Sequence, residues 1–305
     1  MKSDYHFTVM KKEAVENLNL KSNGTYLDAT LGMGGHTIEI TNTRNDINKI
    51  ICIDADYNSL EIAKLRLAKS KNKIEFICGN FSDIDKLINE KVDGVILDLG
   101  ISTYQLLNIK RGFSFKKGNK LDMRINQNQE LTAHKIINTY SVKELSKLLM
   151  NYGEEKNHFQ IASEIARQRS KKEITTSDEL TEIVGKINKG SSNIEPSTRT
   201  FQALRIAVNN ELEAIVKFLE KSEKILNKGG RLVIITFHSL EDRIVKKFFK
   251  LSESKCTCPP TKMSCDCNKK QTFKIITKRP LKPTKNEVLL NPSSRSAKMR
   301  IGEAL

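Results

Sequence analysis

A glycine-rich turn followed by a carboxylate is the part of this chain whose residue types best suit chemistry. Gly32, Gly34 and Gly35 follow an apolar segment, and their missing side chains let a ligand approach backbone N–H groups. Asp54 comes about 20 residues later, the spacing at which a βαβ unit offers a carboxylate to both hydroxyls of a ribose. The spacing predicts a nucleotide-like pocket at the ends of two strands.

The turn lacks the third glycine of the dinucleotide fingerprint, because His36 directly follows Gly35. This departure argues against NAD or FAD. It favours S-adenosylmethionine (SAM), whose amino-acid end requires fewer backbone donors and more carboxylate than a pyrophosphate does. A purely structural glycine loop is the competing interpretation, and the position of Asp54 favours the ligand pocket over it.

Four strand-like segments position these residues. They span residues 25–30, 49–54, 73–78 and 94–98, and each ends in polar or glycine residues. In an open parallel sheet the ligand lies beyond the carboxyl ends of the strands. Gly34, Asp54, Phe81 and Asp98 are therefore expected to converge on one crevice of an α/β fold.

The middle of the chain is predicted to be helical and to interrupt the sheet. Capping boxes begin at Ser141 and Thr176, and an amphipathic run from Arg199 to Leu226 leads into a fifth strand at 231–237. Segments 272–277 and 297–301 are expected to close the sheet as an antiparallel pair. The expected organisation is a core of residues 1–105 and 211–305, with 106–210 as an inserted helical substrate-recognition domain.

Charge narrows the class of partner. The 305 residues include 52 Lys+Arg against 36 Asp+Glu, a net charge of +16, which favours a polyanion such as nucleic acid. A generally lysine-rich surface is the competing interpretation. No stretch approaches the roughly 18 to 20 apolar residues of a membrane span, so a soluble, cytoplasmic protein is expected. Arg111, Arg205, Lys278, Arg279 and Arg295 are among the basic residues considered for contact with phosphates.

The six cysteines fall into two groups. Cys52 and Cys78 lie in predicted buried strands and are expected to be core residues. The others form a compact cluster that favours a structural zinc ion over disulfides, although two Cys-x-Cys pairs are tighter than the usual spacing. A loop with incidental thiols is the alternative. The proposed metal ligands are Cys256, Cys258, Cys265 and Cys267.

Nine ordered motifs give the chain a resemblance to a known family. They occupy residues 32–36, 53–56, 98–102, 111–115, 121–124, 152–155, 199–206, 237–243 and 291–297. The chain resembles the bacterial small-subunit (16S) ribosomal RNA cytosine-N4 methyltransferases, known as small-subunit methyltransferase H. The resemblance implies a Rossmann-like class I SAM-dependent methyltransferase core with an inserted all-helical subdomain. It also implies methylation of the N4 amine of a cytidine in the decoding region, in free RNA or in an assembled small subunit.

The resemblance also implies roles for individual residues. The cofactor contacts carry over to Gly34, Gly35, His36, Asp54, Phe81, Asp98 and Gln105. Thr103 and Tyr104 stand where the family has Ser-Pro, which puts the loop before Gln105 in doubt. Asp98 is the first candidate for an acceptor on the target amine, and His238 is the second.

Two other functions are compatible with the residues. One is an amino methyltransferase that acts on DNA or another RNA, although the double-proline box of the DNA enzymes is missing after Asp98. The other is an RNA-binding assembly factor without catalysis, which predicts a damaged cofactor site and conflicts with the presence of Gly34, Asp54 and Asp98. The sequence does not decide the oligomeric state, for which a homodimer is one candidate.

Overall fold

Two compact units make up the protein. The computed structural model describes residues 8–108, 111–114, 118–188, 195–258, 264 and 267–305. A core unit comprises residues 1–100 and 212–305, and a helical unit comprises residues 101–211. The first change of unit follows Gly100, five residues before the expected position at 105, because Ile101 and Leu106 pack against the apolar cluster of the helical unit.

One sheet runs through the core unit. Its strands are β1 Thr25–Asp28, β2 Lys49–Asp54, β3 Ile74–Cys78, β4 Val92–Asp98, β5 Leu226–Thr236, β6 Phe273–Ile275 and β7 Lys298–Ala304. Within the described residues these seven strands lie in the order β3-β2-β1-β4-β5-β7-β6. The first five are parallel, whereas β7 is antiparallel to β5 and β6. The expected α/β sheet with a closing antiparallel pair is confirmed.

Helices flank the sheet and build the second unit. They are α1 Lys11–Leu18, α2 Gly35–Thr43, α3 Tyr57–Leu67, α4 Ile84–Leu87, α5 Thr103–Leu107, α6 Ala133–Thr139, α7 Val142–Gly153, α8 His158–Arg169, α9 Ser177–Ile187, α10 Thr198–Asn209, α11 Glu211–Ile225, α12 Ser239–Glu253 and α13 Lys285–Leu290. Among the residues that the structure describes, no helix is both long enough and apolar enough to cross a membrane.

Apolar side chains cover both faces of the sheet because strand residues alternate between the faces. Leu27 of β1 belongs to a cluster that includes Phe218 of α11 and Phe249 of α12. Its neighbour Tyr26 belongs to a second cluster that includes Leu18 of α1. Full burial of one such side chain contributes about 1.5–3 kcal/mol, so the two clusters hold the strand ends in fixed positions.

The strand order reverses beside β1, where β2 lies on one side and β4 on the other. Asp28 of β1 is in register with Cys52 of β2 and Ile96 of β4. The carboxyl ends of these strands therefore meet at one edge. In doubly wound sheets such a reversal opens a crevice that binds ligands.

The helical unit has its own apolar core. Phe113, Leu145, Ile161 and Leu204 are among its buried residues. Ser141 and Glu144 form a reciprocal capping box at the start of α7, and Thr176 and Glu179 form another at α9, which confirms both predicted helix starts.

One local expectation is wrong. The amphipathic run from Arg199 to Leu226 is not continuous, because Asn210 adopts a left-handed conformation with φ of 51° and separates α10 from α11. Helix α3 begins at Tyr57, where the side chain of Asp56 caps it by accepting the N–H of Asn58.

The expectation for Cys78 is also wrong. Cys52 is buried in β2, as expected, but Cys78 is exposed. Strand β3 is at the edge of the sheet, beyond β2, so its last residue has a neighbouring strand on one side. Composition alone indicated an apolar strand and carried no information about its place in the sheet.

Candidate active site

The turn between β1 and α2 forms the floor of the crevice. Gly32 and Gly34 have φ angles of 52° and 79°, a left-handed conformation that is costly for residues with a side chain. The N–H of Gly34 donates to the carbonyl of Leu31 at 2.8 Å, and the N–H of Leu31 donates to Ile53 of β2 at 2.9 Å. These hydrogen bonds fasten the turn to the end of β2.

Gly35, the first residue of α2, is required by close packing. A Cβ atom at this position would lie 1.7 Å from Oγ1 of Thr8, in the segment that precedes α1. The same segment continues into Met10, whose N–H donates to Oε1 of Glu287 at 2.7 Å. The chain before α1 is thus packed on the glycine turn.

Asp54 ends β2 with its carboxylate directed at backbone donors. Its Oδ2 accepts the N–H of Gly32 at 2.6 Å and its Oδ1 accepts the N–H of Asp56 at 2.8 Å. Burial raises the pKa of Asp54 to about 6, against the effect of these hydrogen bonds, which lower it. Each carboxylate oxygen can accept more than one hydrogen bond, so Asp54 can still accept from hydroxyl groups of a ligand.

Phe81 follows β3 in a short 3-10 turn, Phe81–Asp83. Its ring packs edge to face on Phe218, with centroids 5.8 Å apart and an interplanar angle of 85°. The oxygen of the Asn80 side chain accepts the N–H of Ser82 at 2.9 Å and fixes this turn. Phe81 is half-buried, which leaves part of an aromatic ring accessible beyond β3.

Asp98 ends β4 and contacts His36 of α2. The distance from Nε2 of His36 to Oδ2 of Asp98 is 3.3 Å, and the N–H of Asp98 donates to Oγ1 of Thr30 at 2.7 Å. Oδ1 of Asp98 and Nδ1 of His36 are buried and have no hydrogen-bond partner among the described residues. The structure therefore brings together the glycine turn, His36 and Asp98.

Electrostatic interactions favour a charged His36. Burial acts to lower the pKa of His36, but the hydrogen bond and charge of Asp98 and the charge of Asp28 outweigh it, and the pKa is raised above its usual value. The imidazole of His36 thus has two carboxylate neighbours, and the residue is only 3% exposed.

Asp28 is a site residue that sequence reasoning missed. It is fully buried at the end of β1, and its Oδ2 accepts a hydrogen bond from Oγ1 of Thr37 at 2.7 Å. Burial raises the pKa of its carboxyl group. A carboxylate that ends an apolar strand immediately before a glycine turn was the available signal.

His238 follows β5 and precedes α12. The N–H groups of Phe237 and His238 donate to Oε2 of Glu241 at 2.7 and 3.3 Å, so this carboxylate caps the helix. Nε2 of His238 lies 3.1 Å from Oε1 of Glu241, but the angles of this contact do not fit a hydrogen bond. The local contacts place His238 at a helix start.

Gln105 lies in the helical unit. Its backbone N–H donates to Oγ of Ser102 at 3.2 Å, and its Oε1 accepts the N–H of Ser102 at 3.0 Å, which forms a capping box at α5. This capping box forms although Thr103 and Tyr104 stand where the family that the chain resembles has Ser-Pro.

Three of the four clustered cysteines are within the described residues. The Sγ atoms of Cys256, Cys258 and Cys267 all lie within 4.8 Å of one another, and none is in a disulfide. The N–H groups of Thr257 and Cys258 point to the sulfurs of Cys267 and Cys256, at 3.4 and 3.3 Å. The fourth, Cys265, lies outside the described residues.

Two of the basic residues that were considered for contact with phosphates are bonded to groups of the helical unit. Arg111 is 3% exposed, and its Nη2 donates to the carbonyls of Arg124 and Ile125 at 3.0 and 2.8 Å. Arg205 pairs with Glu211 at 2.9 Å. The cation at Arg111 therefore stabilises a loop of the helical unit, and the phosphate interpretation of it is wrong.

The strand order, the glycine turn and the carboxylates after β2 and β4 define an α/β SAM-dependent methyltransferase. The model of the MraW methylase family matches residues 3–305. The chain belongs to this family.

Named relatives are similar over nearly their whole length. The "Ribosomal RNA small subunit methyltransferase H" of Clostridium botulinum (strain Kyoto / Type A2) is 47% identical over 302 residues, which cover 97% of this chain and 97% of the relative. The protein of the same name from Clostridioides difficile (strain 630) is 42% identical over 308 residues, with 99% of each chain covered. A solved rRNA methylase from Streptococcus thermophilus has 12% identity and a TM-score of 0.42, over 97% of this chain and 93% of that one.

Close packing at the glycine turn gives a testable prediction. We expect Gly35→Ala to destabilise the protein by about 1–3 kcal/mol, because the added methyl group would overlap Thr8. Thermal unfolding measures the effect. Thr8→Gly removes both of the atoms nearest to the added methyl group. In a protein that already carries Thr8→Gly, the further change Gly35→Ala should therefore cost much less stability. An unchanged unfolding temperature in Gly35→Ala would contradict the packing.

Proposed function

We propose that this methyltransferase modifies the exocyclic N4 amine of a cytidine in the decoding region of small-subunit ribosomal RNA, free or assembled, in the cytoplasm. The names of its relatives and the net charge of +16 support an RNA substrate. The observation that carries the proposal is Asp98, whose carboxylate ends β4 beside the glycine turn, contacts His36 and has a side chain that is 21% exposed.

The residues at this edge fit the parts of SAM. Asp54 has the acceptors for the two ribose hydroxyls, and Phe81 has an aromatic ring for the adenine. The first turn of α2, with Gly35 and His36, offers backbone N–H groups for the carboxylate of the amino-acid end, and Gly34 permits close approach. The cofactor contact of Gln105 and the catalytic role of His238 stay predictions from sequence.

Asp98 is the residue that we propose acts on the amine. When bound, SAM supplies a methyl group already activated by its sulfonium. The cytidine amine is a poor nucleophile because its lone pair is delocalised into the ring. The carboxylate of Asp98 accepts one N–H of the amine, favours a tetrahedral nitrogen with its lone pair directed at the methyl group, and takes the proton that the amine loses.

We propose that the helical unit contributes to recognition of the RNA. Phe159 and Met150 are 59% and 47% exposed on its helices. Aromatic and other apolar side chains stack on unpaired bases, which are the usual targets of sequence-specific RNA recognition. A target base must leave its stack before its amine can be methylated, so such side chains suit this substrate.

A methylation assay tests the proposed reaction. Purified protein with labelled SAM and small ribosomal subunits that lack the modification should produce N4-methylcytidine, detected by nucleoside analysis. We expect Asp98→Asn to lower kcat at least about 100-fold, since the amide cannot take the proton. Asp46→Asn, at an exposed carboxylate paired with Arg44, is the matched control. Label on another nucleoside, or only on DNA, would contradict the substrate assignment.

The proposed role of Asp54 makes cofactor affinity depend on pH. Its pKa of about 6 means that the carboxylate is ionised above that pH and protonated below it. Because the ionised form accepts both ribose hydroxyls, S-adenosylhomocysteine should bind about tenfold more weakly at pH 5 than at pH 7. Titration calorimetry measures this change. Asp54→Asn should bind weakly at both values, and a full pH dependence in that variant would exclude Asp54 as its origin.

We also propose that Cys256, Cys258 and Cys267 bind zinc, with Cys265 as the fourth ligand expected from sequence. Four sulfurs about 2.3 Å from a tetrahedral zinc ion lie about 3.8 Å apart. The separation of the Cys256 and Cys267 sulfurs is 3.8 Å. The N–H groups directed at two of the sulfurs stabilise thiolates, which are the forms that bind metal.

Metal analysis tests the zinc proposal. Protein purified without chelators should contain about one zinc ion per chain by mass spectrometry, and Cys256→Ser should remove most of it. Cys78→Ser, at another exposed thiol, should retain the metal. Binding of S-adenosylhomocysteine should be similar in all three proteins. Zinc-free protein, or equal zinc in Cys256→Ser, would contradict the proposal.

A further inference from the structure

The carboxylate of Asp98 is held on one side only. Its backbone N–H is bonded to Oγ1 of Thr30, and its Oδ2 lies 3.3 Å from Nε2 of His36. His36 is 3% exposed, so its ring has little freedom to turn away. Oδ1 is buried and has no hydrogen-bond partner among the residues that the structure describes. The two oxygens of Asp98 are therefore not equivalent.

We propose that His36 is a positioning residue for Asp98. Its Nε2–H donates to Oδ2 and fixes the orientation in which the carboxylate, whose side chain is 21% exposed, meets one N–H of the target amine. The geometry of the pair is independent of the substrate, whereas the identity of the amine rests on the proposed function. A carboxylate that is already oriented loses less freedom when the amine arrives, and proximity of this kind lowers the barrier.

Charged groups from four elements face the ring of His36. Asp98 of β4 and Asp28 of β1 favour its charged form, and Lys11 of α1 opposes it. Glu287 of α13 interacts with both His36 and Asp98. The balance raises the pKa of His36 despite its burial. An imidazolium ion donates a stronger hydrogen bond to a carboxylate than neutral imidazole does, so the raised pKa of His36 extends the charged form of the pair to higher pH.

This role differs from the cofactor contact that the family resemblance implied for His36. The N–H groups in the first turn of α2 have no carbonyl partner within the helix, so the backbone at Gly35 and His36 can contact the cofactor. The side chain is directed at Asp98. Backbone and side chain of His36 therefore serve separate functions, and substitutions of the side chain can distinguish them.

Titration of His36 by NMR tests the pair without any substrate. The chain has 5 histidines, few enough to assign by substitution. In the unmodified protein the pKa of His36 should be above the usual 6.5. In Asp98→Asn the pKa of His36 should fall, because the charge of Asp98, which raises this pKa against the effect of burial, is lost. Equal titration of His36 in the two proteins would overturn the proposal.

Kinetics of two variants then separate positioning from cofactor binding. His36→Ala should lower kcat about 10- to 100-fold, while His36→Gln, whose amide can donate from a similar position, should lose less than about tenfold. KM for the RNA and the affinity for S-adenosylhomocysteine should stay within about twofold of the unmodified protein. His134→Gln, at a more exposed histidine paired with Glu173, is the matched control.

Two results would have different meanings. Weaker binding of S-adenosylhomocysteine by His36→Ala with unchanged kcat at saturation would show that the side chain contacts only the cofactor, and would overturn the positioning role. If the unmodified protein methylates no cytidine, the proposed function fails, but the NMR titration still decides whether His36 and Asp98 form a pair.

Discussion

Parallel pairing of β1 with both β2 and β4 is the constraint on which the site depends. The register brings Asp28, Asp54 and Asp98 to one edge of the sheet, although they come from segments far apart in the chain. Apolar clusters on both faces keep the strands in register, because a shift by one residue would turn every buried side chain to the wrong face. The precision of the site is therefore a consequence of the core.

The same edge carries several groups that folding alone would not favour. Asp28 is fully buried, burial raises the pKa of Asp54, and the pKa of His36 is raised despite its low exposure. Buried ionised groups cost free energy unless they are paired or hydrogen-bonded. Here the N–H of Gly32, the hydroxyl of Thr37 and the contact between His36 and Asp98 provide that compensation. Groups held at such a cost are characteristic of functional sites.

Features with a strong local signal could be predicted from the sequence. Strand β2 spans Lys49–Asp54, as expected, because an apolar run ends there at a carboxylate. The capping boxes at Ser141 and Thr176 were also evident. The break at Asn210 was not, since asparagine tolerates the left-handed conformation without requiring it.

Contacts between distant segments had no local signal. The packing of Thr8 on Gly35, the hydrogen bond of Thr37 to Asp28 and the orientation of His36 toward Asp98 arise only after the sheet has formed. The exposure of Cys78 has the same origin, since it depends on the position of β3 in the sheet. Residue types thus predicted that Gly34, Asp54 and Asp98 would lie at one edge of the sheet, whereas the contacts of these groups required the structure.

A crystal structure of the protein with S-adenosylhomocysteine would show whether the edge formed by β1, β2 and β4 binds the methyl donor. We expect the ribose hydroxyls within about 2.6–3.2 Å of the Asp54 carboxylate and the amino-acid end at the first turn of α2. Oδ2 of Asp98 should stay beside His36. A ligand bound away from Asp54 and the glycine turn would contradict the account.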